Sequence, residues 1–147
     1  MKTIIVTMLL LLAGCGGLPW DPDGTLERVR RTQVLRAGII ADDPNEPSAT
    51  QRRFLDLMAA DTGSRIKLVR GSAEELLPQI EKGELDIVIG HFASDTPWEK
   101  RVTIMPTAKQ MGARNGESAP GAAVKNGENG WIALVYNRAP MLKGYAP

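Results

Sequence analysis

One histidine and one cysteine set limits on the chemistry this sequence can carry. His91 follows an apolar run, LDIVIG at 85–90, and opens a polar stretch, FASDTPW at 92–98. An imidazole so placed does acid–base work only with a second group to orient it or a substrate held against it. Asp42, Asp43 and Asp95 are carboxylates that a fold gathering strand ends would bring towards it. Their spacing does not choose among them. Ser72, Ser94 and Thr96 carry hydroxyls, yet no GxSxG, HExxH, phosphate-loop or GxGxxG pattern surrounds them. A metal is poorly served by one histidine and one cysteine. The pattern favours contact with a ligand over covalent chemistry and calls for no catalytic residue, metal or cofactor.

The cysteine has a different context. Ile4 to Leu12 form an almost continuous apolar run behind Lys2. It is too short to span a bilayer but suits the core of an export signal. Ala13, Gly14 and Cys15 follow, and a lone cysteine forms no intramolecular disulfide. The stretch LAGC at 12–15 resembles the bacterial lipobox. That resemblance implies cleavage of the signal peptide, residues 1–14, before Cys15 and a lipid anchor on its sulfur. Each methylene buried in a membrane adds about 0.8 kcal/mol to such an anchor. Residues 15–24, rich in Gly, Pro and Asp, read as a flexible tether.

Without Lys2, the 18 basic residues fall to match the 17 acidic ones. No basic field for nucleic acid follows, nor a polybasic patch for anionic lipid. Aromatic residues make up 5% of the chain, too few to suggest a stacking platform for single strands.

The elements that must hold these residues are legible in the first two thirds of the chain. LERVRR at 26–31 suits a short helix, and VLRAGII at 34–40 a strand. Ser48 with Gln51 makes a capping-box pattern, with Phe54, Leu57 and Met58 on one helical face and Gly63 closing the helix. IKLVR at 66–70 alternates as a strand. Ser72 with Glu75 starts a second capped helix, in which Pro78 predicts a kink or restart and Gly83 a C-terminal turn. Leu85 to Gly90 reads as a strand covered on both faces. This β-α-β-α-β order predicts a parallel sheet with right-handed crossovers.

Beyond Val102 the pattern weakens. VTIMP and KQMGARN read as short strands, GESAPG at 116–121 as a breaker, and AAVKNG as a further strand. Asn129 suits the cap of a helix through Trp131, Leu134 and Val135, and residues 139–147 read as a frayed tail. The folded lobe is thus expected over 25–138.

In open α/β sheets, ligands gather beyond the carboxyl ends of the parallel strands. Segments 41–44, 71–72 and 91–98 would meet there. The candidate ligand-binding residues are therefore Asp42, Ser72, Gly90, His91, Ser94, Asp95 and Trp98. Each has an equally good structural reading; Asp95 to Pro97 suits a turn with a cap, and Trp98 a lid over the sheet edge. Their convergence on one edge raises the binding reading.

TLERVRRTQVLRAGI, GSAEELLPQIEKGELDIVIG and DTPWEKRV resemble the first lobe of family 3 extracellular solute-binding proteins, over about Thr25 to Val102. NGENGWIALV is similar to their returning C-terminal helix. The resemblance implies one α/β lobe of the type II periplasmic binding protein class, built on a parallel sheet. It also implies non-catalytic capture of an amino-acid-like solute or organic anion for an ABC transporter. Partners would be that solute, a transporter permease or another envelope protein, and the membrane through Cys15. The place would be the cell envelope, facing the periplasm or exterior. Three departures stand out. Where the family carries a ligand-gripping arginine after its TPE motif, this chain has Trp98 and Glu99, and Arg101 matches a later basic position. SATQRRF replaces the acidic entry to the first helix. About 45 residues follow Val102, short of a second lobe. The alternatives are a protein–protein interaction lobe, a vestigial or truncated binding module, and, behind those, a periplasmic dehydratase-like enzyme.

Overall fold

The computed structural model describes residues 21–41 and 47–144. Asp42, Asp43, Cys15, the signal segment and most of the tether lie outside them. Helix α1 (Thr25–Thr32) leads into β1 (Val34–Ile40); α2 (Ala49–Thr62), β2 (Arg65–Gly71), α3 (Ala73–Glu81) and β3 (Ile87–Ala93) follow. A 3-10 turn (Pro97–Lys100), β4 (Val102–Met105), a second 3-10 turn (Lys109–Met111), β5 (Ser118–Lys125), α4 (Asn129–Arg138) and a 3-10 helix (Ala139–Gly144) complete the described chain.

Among the described residues the strands form one sheet in the order β2-β1-β3-β5-β4. β1 pairs parallel with both β2 and β3, as the sequence predicts. β5 runs antiparallel between β3 and β4, so the sheet is mixed rather than parallel. Alternation sends Leu35, Ala37, Ile39, Ile87 and Ile89 into a core shared with α2 and α4. Ile40, Val88 and Phe92 join α3 residues Leu76, Leu77 and Ile80 on the other face. Burial on both faces explains why β1 and β3 are apolar runs.

Local signals account for the helix ends. Ser48 and Ser72 each accept from the backbone N–H three residues on, and Gln51 and Glu75 accept the returning bonds. Gly63 and Gly83 take positive φ values of 63° and 73° just beyond their helices, a conformation that a Cβ penalises. Pro78 causes no restart: α3 is one nine-residue helix through it.

Five expectations need correction. β3 starts at Ile87 and runs on to Ala93, because β5 pairs with it as far as Ala93 opposite Ser118. The GESAPG breaker holds the start of β5. Pro120 is tolerated there because β4 ends opposite Ala122, so no neighbour on that side needs its missing N–H. Lys109–Met111 is a 3-10 turn, not a strand. Asn129 is the first residue of α4, not its cap. The segment expected to fray contains the 3-10 helix 139–144, whose Ala139 and Leu142 are buried in the main core.

The start of the described chain is fastened as well. Both oxygens of Glu128 accept backbone N–H groups, from Asp23 at 2.8 Å and Thr25 at 2.9 Å. Asp21 accepts from Leu26 at 2.9 Å, and Lys125 pairs with Asp23. Burial, then its hydrogen bond with Glu128, raises the Asp21 carboxyl from 3.8 to about 6. Burial opposes charge on Glu128 too. The hydrogen bonds from Asp21 and from the Asp23 and Thr25 amides outweigh it and lower Glu128 from 4.5 to about 2. A raised Asp21 stabilises the fold below 3.8, and that contribution is lost as pH rises through about 6. A lowered Glu128 stabilises above 4.5 and loses that contribution as pH falls towards about 2. Urea melts across this range should show the parent losing stability from pH 4.5 to about 6 more steeply than Asp21→Asn, which keeps a neutral donor. Parallel curves for the two proteins would remove the pair as the cause.

Candidate functional site

β1 and β2 end level, with Ile40 opposite Gly71, and Ala41 N–H still reaches Gly71 O at 3.3 Å. β1 pairs with β3 only as far as Ile39 opposite Ile89, whereas β3 continues to Ala93. The sheet edge is therefore stepped. β1 and β2 form its floor, with α3 starting beside it, and the overrunning end of β3, backed by β5, forms its wall.

The candidate residues divide on this step. His91 lies in β3 and not in a loop, half-buried and paired with Pro120 of β5. Alternation places it on the face of Ile87 and Ile89. Gly90 is a packing requirement, since a Cβ there would stand 2.6 Å from Ile40 Cβ. Ser72 is exposed but committed to capping α3, with Glu75 folded back onto its N–H at 2.9 Å. Ser94, 1% exposed, donates through Oγ to Arg114 O at 2.7 Å and accepts from Gly116 N–H at 3.0 Å. It fastens the β4–β5 connection rather than facing solvent. Asp95 is exposed at the tip of the turn, where Thr96 caps the 3-10 turn through Trp98 N–H. Asp42 lies outside the described residues.

Trp98 is half-buried against the α3-side core, and the Arg101 guanidinium stacks over its ring at 4.8 Å. The same guanidinium bonds Glu81 on α3 at 2.5 Å. Arg101 is thus engaged on the protein itself, tying the turn after β3 to α3. Trp98 and Glu99 accordingly stand where the resemblance leads one to expect a ligand-gripping arginine.

The step brings Gly71, Ser72, Gly90, His91, Asp95 and Trp98 to one end of the sheet. Its chemistry is that of contact: an imidazole, a carboxylate and an indole beside backbone groups at strand ends. The hydroxyls of Ser72 and Ser94 are occupied by backbone partners, so neither is poised as a nucleophile. The carboxyl groups with displaced pKa values, Asp21 and Glu128, lie at the opposite end of the sheet, where β5 ends and α4 begins. Among the described residues no three His, Cys, Asp or Glu side chains gather as a metal site. No helix there is long and apolar enough to cross a membrane. Sequence reasoning missed Glu128 and Arg114, because each acts across 20 or more positions of sequence. It also passed over Asp86, whose only signal was a carboxylate interrupting an apolar run.

The sequence matches no family model and no curated protein. Solved structures do match. A point mutant of the arginine-bound form of domain 1 from TmArgBP superposes with a TM-score of 0.63 at 18% identity, over 82% of this chain and 99% of that one. The arginine-bound domain 1 itself gives 0.59 at 20% identity, over 80% and 98%. An ancestral cationic amino acid solute binding protein, AncCDT-1, gives 0.58 at 15% identity, over 82% and 94%. The fold is that of a single lobe of a type II periplasmic binding protein.

Two substitutions separate scaffold from contact surface. Gly90→Ala forces a Cβ into Ile40 and should destabilise by about 2 kcal/mol. Ser94→Ala leaves the Gly116 N–H without its acceptor and should cost about 1–3 kcal/mol. Urea denaturation reads both. A cost within about 0.5 kcal/mol of zero for either would return that residue to the ligand-facing set.

Proposed function

We propose that this chain is an extracytoplasmic, non-catalytic solute-binding lobe, tethered to a membrane through a lipid on Cys15 and serving an ABC transporter. Its ligand is an amino-acid-like solute or small organic anion, received at the stepped edge. The observation that supports this reading best is the step itself, on a lobe that overlays almost the whole of a domain solved with arginine bound. His91, Asp95 and Trp98 are the side chains assigned to the solute, while Gly90, Ser72 and Ser94 shape the edge that presents them. Trp98 provides a flat apolar contact through the part of its indole that the core and the Arg101 guanidinium leave exposed. Asp95 accepts donors from the solute.

A thermal-shift screen of amino acids and small organic anions tests this. A true ligand at 100 times its Kd should stabilise the lobe by about 2.7 kcal/mol. His91→Ala and Trp98→Ala should each weaken it by about tenfold, a loss near 1.4 kcal/mol. No stabilisation by any member of a broad panel would sink the solute reading. The anchor is tested separately by mass spectrometry of membrane fractions. Cys15→Ser should abolish a diacylglyceryl mass increment and release the chain, and an unmodified parent would refute the anchor.

A further inference from the structure

A second recess lies on the flank of the sheet, between the edge strand β2 and helix α2, with a volume of about 370 Å³. That size falls within the range of small-molecule sites. Alternation along β2 turns Ile66, Leu68 and Arg70 towards it. Leu55, 2% exposed, and the half-buried Ile66 join its floor to the main core. Leu68 extends that floor into solvent at 39% exposure, and among the described residues Tyr136 is its sole large apolar companion in being exposed.

Charge surrounds this apolar floor. Arg52 and Arg70 line the recess, and so does Asp56. Asp56 forms no ion pair with either arginine, and among the described residues no ion pair engages the Arg70 side chain. Arg52 donates through Nε to Pro47 O at 3.1 Å, which orients its guanidinium and leaves its terminal nitrogens available. Two guanidinium groups beside an exposed apolar floor match an anion with an apolar body. Planar carboxylate is the group that arginine grips best, through paired charge-assisted bonds. Asp56 in the same recess opposes a second negative charge, so a monoanion fits better than a dianion.

We propose that the α2–β2 groove is a second ligand site, separate from the stepped edge, for a small monocarboxylate with an aliphatic or aromatic body. Arg52 and Arg70 hold the carboxylate, and Leu55, Ile66 and Leu68 carry the body.

Hexanoate is the probe, titrated into the 147-residue chain and followed by backbone amide NMR, with hexanol and hexylamine as controls. Hexanoate should shift the amides of Leu55, Ile66 and Leu68 and bind at least about tenfold more tightly than hexanol, the worth of one charge-assisted pair. Arg52→Gln and Arg70→Gln should each weaken hexanoate by about tenfold, and Leu68→Asp by more. Asp56→Asn should strengthen it and admit adipate. These side chains are on the surface, and circular dichroism verifies that each variant stays folded. His91→Ala and Trp98→Ala should leave hexanoate binding unchanged. The proposal is overturned by silence at those three amides, by equal binding of hexanol, by arginine variants that bind as the parent does, or by loss of binding in the edge variants.

Discussion

The carboxylate of Asp86 is the constraint on which the rest of this lobe depends. Its side chain is fully shielded from solvent, yet every polar atom of the residue is engaged. Arg28 of α1 and Arg36 of β1 each reach Oδ1 at 2.6 Å, and Arg36 N–H donates to Oδ2 at 2.8 Å. The Asp86 N–H donates to Arg36 O, and its carbonyl accepts from the buried Trp131 indole at 2.7 Å. One residue at the entry to β3 thus joins α1, β1 and α4. Both arginines keep about a quarter of their side chains exposed, so solvent screens part of the attraction. The larger effect is the cost of leaving such a carboxylate unpaired, which is several kcal/mol and falls on any packing that breaks the set. A one-residue slip of β3 against β1 would also move Ile87 and Ile89 out of the main core.

Fixing the lower end of β3 has a consequence at the upper end. Strands rise about 3.3 Å per residue, so a register set at Asp86 determines which residues clear the end of β1. With Ile39 opposite Ile89, the last residues of β3 pass beyond the β1 pairing, and among the described residues their strand partners are in β5. Gly90 makes the passage possible by letting Ile40 pack against the β3 backbone. The stepped edge is therefore a product of pairing, not of a flexible loop. Residues set on such a wall are held by strand geometry, which favours a preorganised contact surface.

Much of this was legible in the sequence because its signals were local. Ser48 with Gln51 and Ser72 with Glu75 announce their helices within four residues, and the apolar runs at 34–40 and 85–90 announce doubly covered strands. The C-terminal third was not legible for the opposite reason. β5 is defined by pairing with β3 and β4, and it contains Pro120 and Gly121, residues that argue against a strand unless one knows where β4 stops. The site was legible as a location and only partly as a set of residues. The α/β rule pointed to the edge at which the structure brings Gly71, Gly90, His91 and Asp95 together. It had no means of knowing that Ser94 turns inward to the Arg114 carbonyl, or that the strand containing His91 runs three residues further than its apolar pattern.

Those assignments narrow the chemistry of the edge. A polar side chain that satisfies buried backbone groups is costly to redirect towards a ligand, because each partner it leaves costs about 1–3 kcal/mol. Ser94 is bound by that argument, Ser72 is committed to its exposed cap on α3, and Arg101 is divided between the Trp98 ring and Glu81. The first turn of α3 is also filled by the lobe's own carboxylate, since Glu75 Oε2 accepts the Ser72 N–H. An incoming carboxylate would have to displace Glu75 from that N–H or bind elsewhere. The described edge therefore provides the half-buried Trp98 indole with Arg101 over its ring, an imidazole and the Asp95 carboxylate. Those groups favour a solute's apolar and donor-bearing parts, whereas Arg52 and Arg70 line the α2–β2 recess. On the two proposals together, donor-bearing solutes are assigned to the end of the sheet and carboxylates to its flank.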